Sequence, residues 1–205
     1  WLLEENNPSV RYLTLTELLG ISPRRREPTK TRRMIPDWPP VKKMLVHQKR
    51  NGGWDDGRTW SLPKYKTTAW QLLILSQTGI DPTIPSIRRM IDYAFKFQMP
   101  SGGFRSGMTC DLGDDWSSLA GCLNGNVVAA LSRLGRARDP RIRKAIDHLL
   151  SFQEPDGGWG CRSFGYHRRD KHSCFMGTIT PLDAFSEVPE KDRTPEMREA
   201  VARGE

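Results

Sequence analysis

The sequence predicts an all-α chain built from antiparallel helical hairpins, and three observations carry that expectation. First, one short phrase occurs three times: QKRNGGW at 48–54, QMPSGGF at 98–104 and QEPDGGW at 153–159. Its glutamines are 50 and then 55 residues apart, a repeat-protein spacing. Second, the segment before each glutamine carries an apolar stripe of helical period. Ile87, Met90, Ile91, Ala94 and Phe97 mark one such stripe, and Ile142, Ala145, Ile146, Leu149 and Leu150 another. Third, an apolar segment rich in small residues follows each phrase, and no stretch alternates as a strand would.

Taken in order, NPSVRYLTLTELLG (7–20) reads as a helix capped by Asn-Pro and stopped by Gly, the second helix of an earlier repeat. The first full repeat spans about 39–79, with PPVKKMLVHQ leading into Gln48 and TTAWQLLILSQTG ending on Gly79. The second spans about 85–135, pairing IPSIRRMIDYAFKFQ with CLNGNVVAALSRLG. The third spans about 140–189, pairing DPRIRKAIDHLLSFQ with CFMGTITPLDAFSEVP, where Pro181 should kink the helix or mark its first turn. TPEMREAVARGE (194–205) reads as the first helix of a further repeat. The whole, 1–205, is expected to be one repeat domain, with both ends reading as cuts through a longer array. The more apolar second helices should form an inner layer, and the first helices an outer layer that shows one face to water.

The repeated phrase has a structural logic. A Gln amide offers two donors and an acceptor to backbone groups left over where one helix ends and another begins. The Gly pair turns the chain, and the aromatic that follows lies back over a neighbouring helix. Gln48, Gly52, Gly53 and Trp54 form one clasp, Gln98, Gly102, Gly103 and Phe104 the second, and Gln153, Gly157, Gly158 and Trp159 the third.

Composition narrows the function. The longest aliphatic run is LLIL at 72–75, too short to span a membrane, and the opening WLLEENNPSV has no secretory pattern. Four cysteines, at 110, 122, 161 and 174, fit no compact disulfide framework, so reduced thiols in a cytoplasm are expected. The net charge of +8 gathers in SPRRREPTKTRR (22–33) and YHRRDKH (166–172). Such runs attract anions, including phospholipid headgroups at a membrane surface or a diphosphate. Neither is interleaved with aromatics for base stacking, so a solvated basic surface is expected and nucleic acid is not.

The phrase Gln-x(3)-Gly-Gly-Trp/Phe, closing an outer helix about every fifty residues, resembles the QW-type repeat of squalene–hopene and oxidosqualene cyclases. It is equally similar to the Gly-Gly-aromatic turns of protein prenyltransferase β subunits. The resemblance covers residues 39–189 and implies an α/α toroid whose inner helices surround a cavity for isoprenoid chains. A complete toroid has about six hairpins and this chain supplies about four, so an incomplete barrel is expected, completed by a longer chain or a partner subunit. The cyclases' Asp-x-Asp-Asp-Thr-Ala acid is not retained: Thr68-Ala69 fall in register, but Lys64, Tyr65, Lys66 and Thr67 precede them. Asp111, Asp114 and Asp115 of DLGDD are weak candidates for a displaced acid or a magnesium–diphosphate contact; the alternative is a solvated loop capping the next helix. Of the prenyltransferase zinc ligands, Cys122 and His172 of His172-Ser173-Cys174 are matched, while Ala120 stands at the Asp position.

The thiols and imidazoles also suggest a metal on their own pattern. Cys122 and Cys174 are each placed in Cys-x-x-Gly at the first turn of an inner helix, and Cys161 follows the third clasp. Packed helices lie about 8–10 Å apart, close enough to share a zinc ion about 2.3 Å from each sulfur. Cys122, Cys161, His172 and Cys174 are therefore candidate zinc ligands, with Cys110 and His167 in reserve; packed free thiols are the competing reading. Trp60, Trp70, Trp116 and Phe175 are candidates for an aromatic cavity wall. Two functions compete: an enzyme acting on an isoprenoid or other apolar substrate, and a non-catalytic repeat scaffold holding a peptide, lipid or protein partner, with any zinc then structural.

Overall fold

The computed structural model describes residues 1–107, 120–160 and 172–205. Its helices are α1 (Pro8–Leu13, continued by a π turn Thr14–Leu18), α2 (Arg26–Met34), α3 (Pro39–Val46), α4 (Thr68–Ser76), α5 (Pro85–Phe95), α6 (Gly121–Leu131), α7 (Pro140–Ser151), α8 (Phe175–Ser186) and α9 (Pro195–Gly204). Among the described residues there is no strand, only the isolated bridges Thr59–Gly107 and Gln98–Phe104.

The hairpin order follows the repeats. α3, α5, α7 and α9 each begin on Pro, where the missing amide hydrogen costs nothing and the fixed φ suits a helix. Asp139 and Thr194 cap α7 and α9 by accepting from the amides of Arg141 and Met197. α4, α6 and α8 form the inner layer, α6 packing on α4 at one side and on α8 at the other. The stripe residues Ile87, Met90, Ile91, Ala94 and Phe97 are buried, as are Ile142, Ala145, Ile146 and Leu149.

α2 was not expected. Its sequence reads as a basic surface run, yet Pro28 and Thr31 turn inward. The Arg32 guanidinium donates to the carbonyls of Gly79 and Ile80 and lies over the Tyr12 ring. Cations crowd the helix without preventing it, because one face carries the apolar and small groups and the others are hydrated.

The inner helices approach closely through small residues. A Cβ on Gly121 would stand 2.7 Å from the Gly177 carbonyl oxygen, and one on Gly125 would overlap the backbone of Thr180 and Pro181. Pro181 sits inside α8, past its first turn. Its ring removes the amide that would otherwise bond Gly177, and that carbonyl faces Gly121. The Thr180 hydroxyl donates to Met176 O and makes a 3.3 Å bond to Gly121 O.

Three clasps join consecutive outer helices with one geometry. Gln48 Nε2 donates to Gly52 O and to Ser86 O, both at 2.9 Å. Gln98 Nε2 donates to Gly102 O at 2.9 Å and to Arg141 O at 2.7 Å. Gln153 Nε2 donates to Gly157 O at 2.6 Å and to Ala200 O at 2.8 Å. The first Gly of each pair has φ of +94, +100 and +88°, a region that penalises a Cβ. A Cβ there would also strike the carbonyl of Arg89, Lys144 or Arg203 on the next outer helix. Trp54 and Trp159 fold back over their own outer helices, their indole N–H groups donating to Met44 O and Leu149 O. Ser86 and Arg141 are the second residues of their helices, whereas Ala200 is the sixth of α9. α9 thus carries one extra turn ahead of the clasp.

Each clasp also holds the inner helix that follows. The amides of Trp54 and Trp159 donate to the hydroxyls of Thr68 and Thr178, and that of Phe104 to Asn124 Oδ1 at 2.7 Å. These bonds set the register of the inner helices and correct one expectation. Asn124 and Thr178 are equivalent, so Cys174, the N-cap of α8, matches Ala120, the N-cap of α6, and not Cys122.

At the other end of the inner layer Arg133 bonds Asp183 Oδ1 at 2.5 Å and Glu187 Oε1 at 2.9 Å. Burial pushes the Glu187 carboxyl above its ordinary value of 4.5, outweighing the pull of Arg133, with Asp183 and Glu17 adding repulsion. A raised folded value means that this group's favourable contribution is present in acid and is lost as pH rises through it. Glu187→Gln should therefore change stability by less than about 1 kcal/mol at pH 7. Its stability relative to the parent should improve between pH 4 and pH 7 in urea titrations. A steady loss over that range would show that the Arg133 pair dominates instead.

Candidate ligand-binding face

The inner helices leave an apolar surface along α4 and at the N-terminal ends of α6 and α8. On α8, Phe175 is 78% exposed, Met176 53% and Ile179 46%, and on α4 Ile74 is 40% exposed. Trp70, Leu73, Cys122 and Leu123 are half-buried on α4 and α6. Towards the C-terminal ends the same helices turn polar, with Gln77, Arg133, Asp183 and Glu187. An apolar group left in water forgoes roughly 25 cal/mol per Å2 of the area it could bury, so this surface is the one that gains most from a ligand.

Of the aromatic residues expected to wall a cavity, Trp70 and Phe175 stand on this face. The Trp70 indole donates to Ser61 O at 2.8 Å, its ring centroid is 4.8 Å from that of Tyr65, and the Lys64 ammonium lies 5.9 Å from it. Trp60 does not belong to the face. It is fully buried, stacked on Phe97 at 4.7 Å and bonded through its indole to Arg105 O. A large ring in a closed core gains more from that stack than from an open wall. Trp116 lies outside the described residues, as do Asp111, Asp114 and Asp115.

An acid does reach the start of α4, from 13 residues upstream of Thr68. Asp55 Oδ2 accepts from the Thr68 amide at 2.8 Å and from the Thr68 hydroxyl, while Oδ1 accepts from the Tyr93 hydroxyl at 2.6 Å and the Gly57 amide at 3.0 Å. Both oxygens are engaged and the residue is buried, so Asp55 fastens helix α4 to α5. Burial, with the Asp55 bond and charge, pushes the Tyr93 phenol well above its ordinary value.

Of the expected zinc ligands, Cys122 and Cys174 are half-buried thiols and His172 is exposed. Cys161 lies outside the described residues, as do Cys110 and His167. Among the described residues no three His, Cys, Asp or Glu side chains converge as a metal group. Next to His172, the Ser173 amide and hydroxyl both donate to the Asp156 carboxylate. These bonds, helped by the charge of His172, hold that carboxyl below its usual range. No helix among the described residues is long and apolar enough to cross a membrane.

Helical hairpins joined by Gln-Gly clasps, with an apolar face on the inner layer, define an α/α-toroid repeat protein of the terpenoid cyclase superfamily. The model of the squalene-hopene cyclase C-terminal domain matches residues 55–184, and the chain belongs to that family. A squalene–hopene cyclase of Zymomonas mobilis is 32% identical over 176 residues, covering 70% of this chain and 25% of the relative. One from Bradyrhizobium diazoefficiens is 35% identical over 116 residues, covering 55% of this chain and 16% of the relative. The chain thus spans a quarter or less of the length of these relatives. A variant of a type II terpene cyclase from Scytonema, solved with geranylgeranyl dihydroxybenzoate, aligns at 18% identity and a TM-score of 0.49 over 98% of this chain and 52% of that one.

Proposed function

We propose that the chain supplies the ligand-facing wall of a cyclase-type repeat protein, and that an isoprenoid-like hydrocarbon lies along α4 and the N-terminal ends of α6 and α8. The exposed set Phe175, Met176 and Ile179, continued by Ile74 and Trp70, carries this reading. Squalene, for which the curated relatives are named, is a ligand of the right class. A flexible hydrocarbon needs contact area rather than hydrogen bonds, and this face offers the one without the other. The ring face of Phe175 would steady positive charge on a bound chain. Asp111, Asp114 and Asp115, in the segment that reads into α6, are the acids that could protonate a terminal alkene carbon.

Lys64, Tyr65, Lys66 and Thr67, standing where the cyclases place their acid, favour a second reading in which the wall binds without catalysis. Turnover of squalene or geranylgeranyl diphosphate separates the two. The zinc proposal rests on Cys122, Cys161, His172 and Cys174, and metal content of the parent, Cys122→Ser and His172→Ala proteins tests it.

Equilibrium binding of tritiated geranylgeraniol tests the face itself. Losing the contact of one buried Phe or Ile side chain costs about 1.5 kcal/mol, so Phe175→Ser and Ile179→Ser should each weaken binding about tenfold. Both sites are open, so folding should be retained. Unchanged affinity in the two variants would place the ligand elsewhere.

A further inference from the structure

A second surface is independent of the apolar face. A cleft of about 930 Å3 lies between the N-terminal segment and α2. Arg26, Lys30 and Arg33 line it from one side of α2, at i, i+4 and i+7, and Arg24 joins them from the turn before the helix. Among the described residues none of these four cations forms an ion pair, in contrast to Arg11, which binds Glu27. Met34 and Trp38 form an apolar floor, and Trp38 packs against the hydrophobic core. Two acids also reach the rim: Glu5, and Asp37, which is paired with Lys42 at 3.4 Å.

The four cations outnumber the two rim carboxylates, one of which is already paired, so the field around the floor is net positive and the cleft concentrates it. Guanidinium groups bind phosphate through paired N–H donors, and a lysine adds a mobile point charge. An inorganic anion would use the cations and leave Met34 and Trp38 wet. A nucleic-acid strand would want several stacking rings, and one half-buried indole serves only one apolar group. The volume lies within the range of small-molecule sites. We infer that this cleft binds a single amphiphilic molecule carrying a phosphate or diphosphate, its charged head on Arg24, Arg26, Lys30 and Arg33 and its apolar part on Met34 and Trp38.

Calorimetric titration of the full chain tests this with inorganic pyrophosphate, geranyl diphosphate, geraniol, a 20-nucleotide single strand, and vesicles containing phosphatidic acid. Geranyl diphosphate should bind at least tenfold more tightly than either pyrophosphate or geraniol. Lys30→Glu and Arg33→Glu should each weaken it tenfold or more, Lys30→Arg should retain it, and Lys191→Glu, at an exposed cation outside the cleft lining, should leave it unchanged. Circular dichroism confirms that the variants fold. Equal affinity for pyrophosphate, or insensitivity to both charge reversals, would overturn the inference. Tighter binding of the oligonucleotide, or binding to the vesicles alone, would also overturn it, since a polymer or membrane surface would then be the partner. Lys30→Glu should leave geranylgeraniol binding at the hydrocarbon face intact, so failure here is distinct from failure of that face.

Discussion

Replacing Gly125 by Val should lower the thermal midpoint by roughly 6–12 °C, corresponding to about 3 kcal/mol in a chain of this size. Two effects oppose each other at this position. Gly125 lies within α6, where helix propensity alone favours a larger residue, by about 1 kcal/mol for Ala. But a Cβ there would overlap the backbone nitrogen of Pro181 and the carbonyl group of Thr180. Backbone cannot rotate away as a side chain can, so the two inner helices must separate. That separation would strain the Thr180 hydroxyl bond to Gly121 and the contact between Gly121 and Gly177. Gly125→Ala is the sharper test, because propensity predicts a gain and packing predicts a loss. Gly160→Ala, whose Cβ would meet only the end of the Glu154 side chain at 3.4 Å, should be nearly neutral. A midpoint for Gly125→Ala at or above that of the parent would refute the close approach of α6 and α8.

Gln98→Glu should cost about 2–3 kcal/mol at neutral pH, although it changes one atom. The Gln98 amide nitrogen donates to two carbonyls, at 2.9 and 2.7 Å, in two different repeats. A carboxylate would turn an acceptor towards both. The Arg141 side chain would not rescue it, since its guanidinium is held by Asp139 at 2.7 and 3.0 Å and lies 3.6 Å from the Phe95 ring centroid. The fold should therefore raise the pKa of the introduced carboxyl, since only its protonated form can donate. By linkage, the defect should be largest at pH 7 and shrink as pH falls through that raised value. Gln98→Met, which removes the donors without adding charge, should cost about 1–2 kcal/mol with no such pH dependence. Urea titrations at pH 4 and pH 7 read both. A penalty for Gln98→Glu that does not vary with pH would mean the carboxyl has found water instead of the carbonyls.

The clasps were legible because their parts are close in sequence: Gln, Gly pair and aromatic lie within seven residues of one another. Hydrophobic period likewise marked α5 and α7, whose stripes are uninterrupted. What was hidden depends on pairing across loops of unequal length. The clasp amides bind Thr68, Asn124 and Thr178 at separations of 14, 20 and 19 residues, so no fixed spacing advertises the inner-helix register. The shared Cys-x-x-Gly pattern made Cys122 and Cys174 look equivalent, and the unequal loops hid the two-residue shift between them. Asp55 was passed over for the same reason: it caps Thr68 from 13 residues away, where the acid motif looks four residues upstream. α2 was obscured by composition, since its cations drew attention to charge and away from the inward Pro28 and Thr31. Trp60 shows the limit of reading an aromatic by type alone, because burial beside Phe97 and Phe104 is a property of the packed core.

Photo-crosslinking tests most directly whether the exposed inner-helix surface holds an isoprenoid-like chain. The full chain, incubated with a diazirine derivative of geranylgeraniol and irradiated, should carry label on α8 at Phe175, Met176 and Ile179 and on α4 at Trp70 and Ile74. Unlabelled geranylgeraniol in excess should suppress that label. Peptide mapping that finds competed label on the outer helices α5 and α7, or none at all, would contradict the account.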